Sequence, residues 1–274
     1  MTKGPIGIFD SGYGGLTILK EITAVLPQYD YLYLGDNARS PYGPRSFETV
    51  YQYTLQAVKW FFEQDCSLVI LACNTASAKA LRTIQQNDLP HIAPDRRVLG
   101  VIRPTSEVIG QFSTSKHIGI LATSGTVASN SYGIEMEKFF PGIQVYQQAC
   151  PMWVPLIENN EFENAGASFF IQKHTQQLLQ QSPAIDTVLL ACTHYPLLAD
   201  QIKQWLPQST RLISQGPIVA NSLKDYLARH SELAERCTQN GKRQFFTTDS
   251  AVDFNNHASI FYGEAVQSVQ VHLK

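Results

Sequence analysis

The sequence predicts an α/β fold of two pseudo-symmetric lobes, each a parallel sheet flanked by helices, with a site in the cleft between them. Three observations carry this. Short β-branched runs alternate with longer helical stretches along the whole chain, the pattern of strand–helix–strand units. The strands are continuously apolar rather than alternating, which marks strands covered on both faces. Two sequence segments also recur in the same order at nearly the same offset. Ile6-Gly-Ile-Phe-Asp-Ser-Gly12 is echoed by Ile118-Gly-Ile-Leu-Ala-Thr-Ser-Gly125, and Leu68-Val-Ile-Leu-Ala-Cys-Asn-Thr75 by Thr187-Val-Leu-Leu-Ala-Cys-Thr-His194.

In chain order, a strand over Pro5–Asp10 leads through Asp10-Ser11-Gly12 and the glycines 14 and 15 into a helix over Leu16–Leu26. A strand over Tyr29–Gly35 precedes the polar loop Asp36–Gly43 and a helix over Ser46–Gln64. The strand Ser67–Ala72 stops at Cys73, and a small-residue helix over Thr75–Gln85 follows. Asn87–Asp95 is rich in turn formers and precedes a strand over Arg97–Val101. The second unit repeats the scheme with strands over Lys116–Ala122, Ile143–Gln148, Ile185–Ala191 and Thr210–Ser214, and helices over Gly166–Gln181 and Leu197–Trp205. A helix over Ile218–Arg229 and a strand over Gln244–Thr248 close the pattern. The turn-rich stretches near 95 and 206–210 mark two candidate boundaries.

Composition excludes several function classes. Of 274 residues, 44% are hydrophobic and 16% charged, with 21 Lys and Arg against 23 Asp and Glu. So neutral a surface argues against a dedicated nucleic-acid binder, which needs a basic face to displace phosphate counterions. No apolar run approaches the roughly 18–20 residues that span a bilayer. The N-terminus shows no apolar core followed by a small-residue cleavage site. A cytoplasmic protein without membrane contact is expected. Five cysteines, an odd number with no CxxC pair, indicate neither a disulfide framework nor a zinc site, so no metal is expected.

Cys73 and Cys192 are set apart from the other cysteines by their surroundings. Each ends an apolar strand and precedes a helix start, and in open parallel sheets ligands bind outside the carboxyl ends of the strands. A thiol at such a junction lies near the positive end of a helix, a setting that lowers a cysteine pKa. His194 stands two residues from Cys192 as a proton partner. A hydrolase needs one nucleophile and one base. Two equivalent thiols on facing lobes suit a reaction symmetric about one carbon, in which one group removes an α-proton from one face and the other returns a proton to the opposite face. Thiols suit this task because their pKa lies near working pH.

The remaining polar groups at this edge fall into place around the thiols. Asp10 is either a cap for the first helix or a partner for a neighbouring thiol. The glycine-rich turn after it matches neither a Walker loop nor a dinucleotide fingerprint. Ser11, Asn74, Thr75 and Thr193 suit an amino acid's carboxylate and ammonium, as would many α/β clefts. Glu158, at the end of Cys150-Pro-Met-Trp-Val-Pro-Leu-Ile-Glu158, is either a solvated helix residue or a carboxylate aimed at His194. Cys66 and Cys237 have no such setting, and Arg96-Arg97 reads as surface.

The segments Ile6–Gly15, Leu34–Gly43, Leu71–Ala78, Leu121–Val127, Cys150–Glu158, Leu190–Leu198 and Phe245–Phe254 together resemble glutamate racemases, within the aspartate/glutamate racemase superfamily. The resemblance runs through essentially the whole chain and implies a discontinuous first lobe of residues 1–98 plus 209–274, with a second lobe of residues 99–208 inserted, which the turn-rich stretches fit. It implies a cofactor-independent isomerase that interconverts L- and D-glutamate and supplies D-glutamate for peptidoglycan, working as a homodimer. It implies Cys73 and Cys192 as the acid/base thiols, with Asp10 assisting the first and Glu158 with His194 the second. It implies Ser11, Pro41, Tyr42, Gly43, Asn74, Thr75, Thr126 and Thr193 as the substrate-binding set. Arg103 departs from the pattern, which commonly has an acidic or small residue there.

Four other readings differ in what they leave unexplained. An aspartate racemase would use the same paired thiols, but tends to carry an acidic residue after Cys-Thr where this chain has His194. A cysteine hydrolase using Cys192 and His194 leaves Cys73 without a role and requires a covalent acyl intermediate. A two-lobed binding protein has no use for two reactive thiols. A pyridoxal-phosphate racemase would need a Schiff-base lysine paired with a phosphate cup, which the sequence does not show.

Overall fold

A computed structural model describes residues 3–274. Ten strands lie among them: β1 Ile6–Asp10, β2 Tyr31–Gly35, β3 Leu68–Leu71, β4 Arg97–Gly100, β5 His117–Ala122, β6 Gln144–Ala149, β7 Thr187–Ala191, β8 Arg211–Ser214, β9 Arg243–Thr247 and β10 Ser268–Gln270. They form two sheets, one in the order β10-β9-β2-β1-β3-β4 and one in the order β6-β5-β7-β8. Every strand pair is parallel. All nine predicted strands form. β10 escapes sequence reading because it is a three-residue edge strand, largely exposed, without an apolar run to announce it.

The strands are continuously apolar because helices cover both faces. Alternate residues of β1 point to opposite sides: Ile6 and Ile8 join one core and Phe9 joins another with Leu32, Leu34, Val58 and Phe61. β7 divides likewise, Val188 and Leu190 to one side and Leu189 to the other. The core that takes Ile6 and Ile8 runs on to Trp153, Tyr195 and Leu190, so apolar packing is continuous from one sheet to the other. Helices Gly15–Val25 and Gly216–Arg229 pack along each other over the first sheet. No helix among the described residues is long and apolar enough to cross a membrane.

Two predicted boundaries shift. Asn87–Asp95 is not a loop: a π-turn over Ile84–Asp88 passes into the helix Leu89–Ile92, whose first turn accepts Pro90 because its missing N–H would have no partner there. The expected division at 98/99 and 208/209 also falls short of the strands, since β4 runs to Gly100 in the first sheet and β8 still belongs to the second. The chain therefore crosses between the sheets after Gly100 and again after Ser214. Arg103 lies on the first crossing, in the short helix Ile102–Ser106. It pairs with Glu107 at 3.0 Å, sits over the Phe139 ring, and lines a cavity of about 780 Å³ with Lys79, Arg82 and Glu135.

The sheets approach closely enough that glycines set the gap. A Cβ on Gly14 would collide with Thr193 Oγ1 and His194 Nδ1. Gly14 has a helical φ of −57°, so the glycine is required for space and not for backbone freedom. A Cβ on Gly43 would stand 3.2 Å from Thr123 Cβ, and one on Gly125 would stand 2.6 Å from the Gly43 carbonyl. The Thr17 hydroxyl also reaches the Thr193 carbonyl at 3.0 Å.

Two stability predictions follow from this packing. Phe61 is fully buried and lies where a Cβ on Gly7 would meet its ring, 2.6 Å from Cδ1. Phe61→Ala is expected to cost about 3–5 kcal/mol in urea unfolding, as for other buried aromatic truncations. Gly14→Ala overpacks the seam and is expected to cost about 1–3 kcal/mol in the same assay. A Gly14→Ala protein as stable as the parent would show that the lobes can part freely at this seam.

Candidate active site

The candidate residues gather at the carboxyl edges of both sheets. Asp10 ends β1, and the turn after it is held in place: Gly12 N–H donates to Asp10 Oδ2 at 3.0 Å, and the Tyr33 hydroxyl donates to the Gly12 carbonyl at 2.8 Å. Cys73 follows β3 and caps the helix Asn74–Lys79, its sulfur accepting from Ala76 N–H at 3.4 Å. Cys192 follows β7 in the second sheet, as the internal echo predicts. Both thiols are buried.

Each thiol has its own polar partners. The Cys73 thiol donates to Ser11 Oγ at 3.5 Å. Cys192 Sγ lies 3.9 Å from His194 Nδ1, and His194 Nε2 lies 2.9 Å from Glu158 Oε1. Thr193 spans the gap, donating from its hydroxyl to Asp10 Oδ1 at 3.3 Å. Glu158 is thus neither a solvated helix residue nor remote, for a Cβ on Gly12 would stand 3.2 Å from its Oε1. Asp10 is fully buried and bound to groups of both lobes, so it is more than a cap.

The electrostatics are unequal on the two sides. Burial, and then the neighbouring Asp10 carboxylate, push the Cys73 thiol up to about 12, with Cys192 adding to the rise; Ser11 and the Ala76 N–H pull the other way. The lowered thiol pKa expected from the helix start is therefore overturned. One short helix end does not offset complete desolvation beside a carboxylate. Burial also raises the Asp10 carboxyl, against the opposing pull of His194 and the N–H groups of Gly12 and Gly15. Burial alone draws His194 down, but its contacts with Cys192 and Glu158 outweigh this and push it up to about 10. The contribution of Cys192 to the rise at Cys73 places the two sulfurs within electrostatic reach of each other.

The expected substrate-binding residues are placed unevenly. Thr75 and Thr126 meet through Thr123, whose hydroxyl lies 2.9 Å from Thr75 Oγ1 and donates to Thr126 Oγ1 at 3.1 Å. Asn74 is buried, its amide bonded to Gln215 and Tyr132. The loop bearing Pro41, Tyr42 and Gly43 reaches the second lobe at Gly43, against Thr123. The Tyr42 ring turns away into the first lobe's core, packs near Phe9 and Tyr53, and donates its hydroxyl to Asp36. This leaves only the Tyr42 backbone for a ligand. Asp36 in turn holds Arg39 at 2.7 Å and Thr248 at 2.8 Å. Thr123, Asp36, Tyr132 and Gln215 were not singled out from sequence. Thr123 had a signal there, as the residue equivalent to Ser11 in the echo.

This arrangement can take a proton from one side of a small ligand and return one from the other. It gathers two thiols, a buried carboxyl and a charged imidazole, with hydroxyls, amides and backbone N–H groups between them. Among the described residues, no group of three or more His, Cys, Asp or Glu side chains converges as a metal site.

Comparison with known proteins agrees with this geometry. The family description Asp/Glu/Hydantoin racemase matches residues 16–223. The chain is 38% identical over 272 residues to a glutamate racemase of Roseobacter denitrificans, covering 96% of this chain and 98% of that one. A crystal structure of a glutamate racemase isoform from Bacillus anthracis superposes with a TM-score of 0.90 at 32% identity, covering 100% of this chain and 99% of that one. The glutamate racemase of Francisella tularensis, solved in complex with D-glutamate, superposes with a TM-score of 0.87 at 30% identity, covering 99% of this chain and 98% of that one. With the fold and full-length relatives in accord, the chain belongs to the Asp/Glu/Hydantoin racemase family and is an isomerase.

Proposed function

We propose that this chain interconverts L- and D-glutamate without a cofactor, using Cys73 and Cys192 as the two acid/base groups. The observation that carries the reading is the pairing itself: two buried thiols, each at a strand end of a different sheet, each with its own proton-holding partner. The D-glutamate bound to the Francisella relative supports the choice of substrate. In the forward direction one sulfur, as thiolate, takes the α-proton, and the opposite thiol delivers its proton to the other face of the resulting carbanion. The reverse direction exchanges the roles. Asp10 holds a proton beside Cys73, and His194, fixed by Glu158, holds one beside Cys192. Ser11, the backbone of Pro41, Tyr42 and Gly43, and the side chains of Asn74, Thr75, Thr126 and Thr193 hold the substrate's carboxylates and ammonium. The lobes are residues 1–98 with 209–274, and 99–208, adjusted to the strand ends described above. The physiological role in this reading is supply of D-glutamate for peptidoglycan by a cytoplasmic homodimer.

The test is incubation of the pure protein with L-glutamate in deuterated water, with no cofactor added. Loss of optical activity, with deuterium appearing at Cα, is expected. Both are expected to fall about 10²–10⁴-fold in Cys73→Ala and in Cys192→Ala, the range for removal of a positioned acid or base. Racemisation of aspartate with glutamate untouched would keep the chemistry and overturn the substrate. A protein that exchanges neither would return the hydrolase or binding readings to the front.

Glu158 provides a pH test. Its contact is one of those holding His194 up near 10, so the imidazole keeps its proton through the neutral range. Removing that contact lets the proton leave at lower pH. In Glu158→Gln the alkaline limb of kcat/KM is expected to move to lower pH, while the acid limb stays in place. A profile identical to the parent's would deny Glu158 any part in holding the His194 proton.

A further inference from the structure

The two crossings between the sheets meet at one buried side chain. Gln215 begins the second crossing directly after β8 and is 2% exposed. Its Oε1 accepts from Asn74 Nδ2 at 2.7 Å. Its Nε2 donates to the Tyr132 hydroxyl at 2.6 Å and to Thr105 Oγ1 at 3.0 Å, with the Val101 carbonyl 3.4 Å away. The Tyr132 hydroxyl donates to Asn74 Oδ1 at 2.6 Å, and Thr105 Oγ1 donates to the Val101 carbonyl at 2.7 Å. Val101 and Thr105 belong to the first crossing, Tyr132 to the helix Ser131–Phe139 over the second sheet, and Asn74 to the helix start beside Cys73.

The ring Asn74–Gln215–Tyr132, with the Val101 carbonyl beside Gln215, admits one consistent set of protons. Tyr132 has a single hydroxyl proton. Giving it to Asn74 Oδ1 leaves the phenol oxygen to accept from Gln215 Nε2, which turns Gln215 Oε1 toward Asn74 Nδ2. Flipping one amide would face like groups against each other in a water-free space, where an unpaired polar group is costly, and flipping both would turn Gln215 Oε1 onto the Val101 carbonyl. The ring therefore has a single stable geometry, and it registers Asn74 against both crossings at once.

We propose that Gln215 is a positioning residue for racemisation, clasping Asn74 to both interlobe crossings and so holding the Cys73–Asn74 turn where the closed cleft needs it. The inference rests on the reading of Cys73 as a reacting group. Gln215 does not touch the substrate; it acts through Asn74. Loss of the clasp lets the helix start carrying Cys73 drift relative to the second lobe.

The test uses full-length Gln215→Leu, Gln215→Glu, Tyr132→Phe and the double variant Gln215→Leu/Tyr132→Phe. Two quantities are read: kcat/KM with L- and D-glutamate, and the rate of iodoacetamide labelling of Cys73 by peptide mass spectrometry. Gln215→Leu is expected to lose about tenfold to a hundredfold in kcat/KM, the scale for misplacement of a reacting group by an ångström or less, and to label faster at Cys73. The losses in Tyr132→Phe and Gln215→Leu are expected not to multiply in the double variant, because both break one ring. Gln215→Glu separates positioning from bulk stability. As a neutral acid it offers one donor and one acceptor and can replace the amide; once ionised it has no donor. Its kcat/KM is expected to recover toward the parent value as pH falls, through an ionisation that the parent lacks. A lowered melting temperature with kcat/KM within about twofold, unchanged Cys73 labelling and no added ionisation would overturn the proposal. Should Gln215→Leu not fold, Tyr132→Phe carries the same comparison, since it keeps the ring's bulk and removes only the hydroxyl. A parent protein inactive on glutamate would defeat the functional reading, and the labelling rates would still decide whether Gln215 positions Cys73.

Discussion

The constraint on which this structure turns is that ionisable groups are brought together out of water. Asp10, Cys73, Cys192 and His194 are each at most 6% exposed, and every one would be destabilised as a lone charge there. Each is therefore tied to another: Asp10 to Thr193 and the Gly12 N–H, Cys73 to Ser11 and the Ala76 N–H, Cys192 to His194, and His194 to Glu158. None of these ties is strong alone. Together they keep proton-holding groups close without an uncompensated charge, the condition for proton transfer in a closed cleft.

That condition reaches back into the fold. Partners that come from different sheets must be registered to a few tenths of an ångström, and the glycines at 14, 43 and 125 allow the lobes to come that close. Thr193 shows the economy of the arrangement. Its hydroxyl bonds Asp10 across the gap and its carbonyl receives Thr17, so one residue next to Cys192 fastens the lobe that carries Cys73. The continuous apolar core from Ile6 and Ile8 to Trp153 and Tyr195 supplies the cohesion, and these polar contacts supply the register.

How much of this was legible in the sequence depends on the range of the interaction. Strand runs such as Leu68–Leu71 and Thr187–Ala191 are local apolar signals and were placed within a residue or two. The paired thiols were legible because duplication repeats a local context, strand end then helix start, and that context can be compared along the chain. β10 and the helices near 90 were not, because a three-residue exposed strand has no pattern and a proline admitted to a first helical turn reads as a loop. The direction of the Cys73 shift was misjudged for a different reason. A helix start is visible in sequence, whereas burial beside Asp10 arises only when the turn after β1 folds over β3. Gln215 and Tyr132 were invisible on the same grounds: their partners stand far off in the chain, and a single Gln or Tyr carries no local mark of a hydrogen-bond ring.

The two sides of the site are alike in backbone and unlike in charge, and this bears on how a symmetric reaction would start. A racemase needs one base and one acid at any moment, so two thiols in the same protonation state cannot begin a turnover. The duplicated strands place the sulfurs equivalently, but Cys73 faces the Asp10 carboxyl while Cys192 faces an imidazole held charged by Glu158. With its pKa pushed up to about 12, Cys73 rests with its proton on, as the acid of the pair. In the proposed reaction the direction that uses Cys73 as the base therefore begins with the loss of that proton to a neighbouring group. Asp10, whose own carboxyl is raised by burial, is the acidic neighbour that bears on that proton. The inequality of the neighbours therefore does what the equality of the thiols cannot, for it makes the two directions of the proposed reaction start from different charge balances.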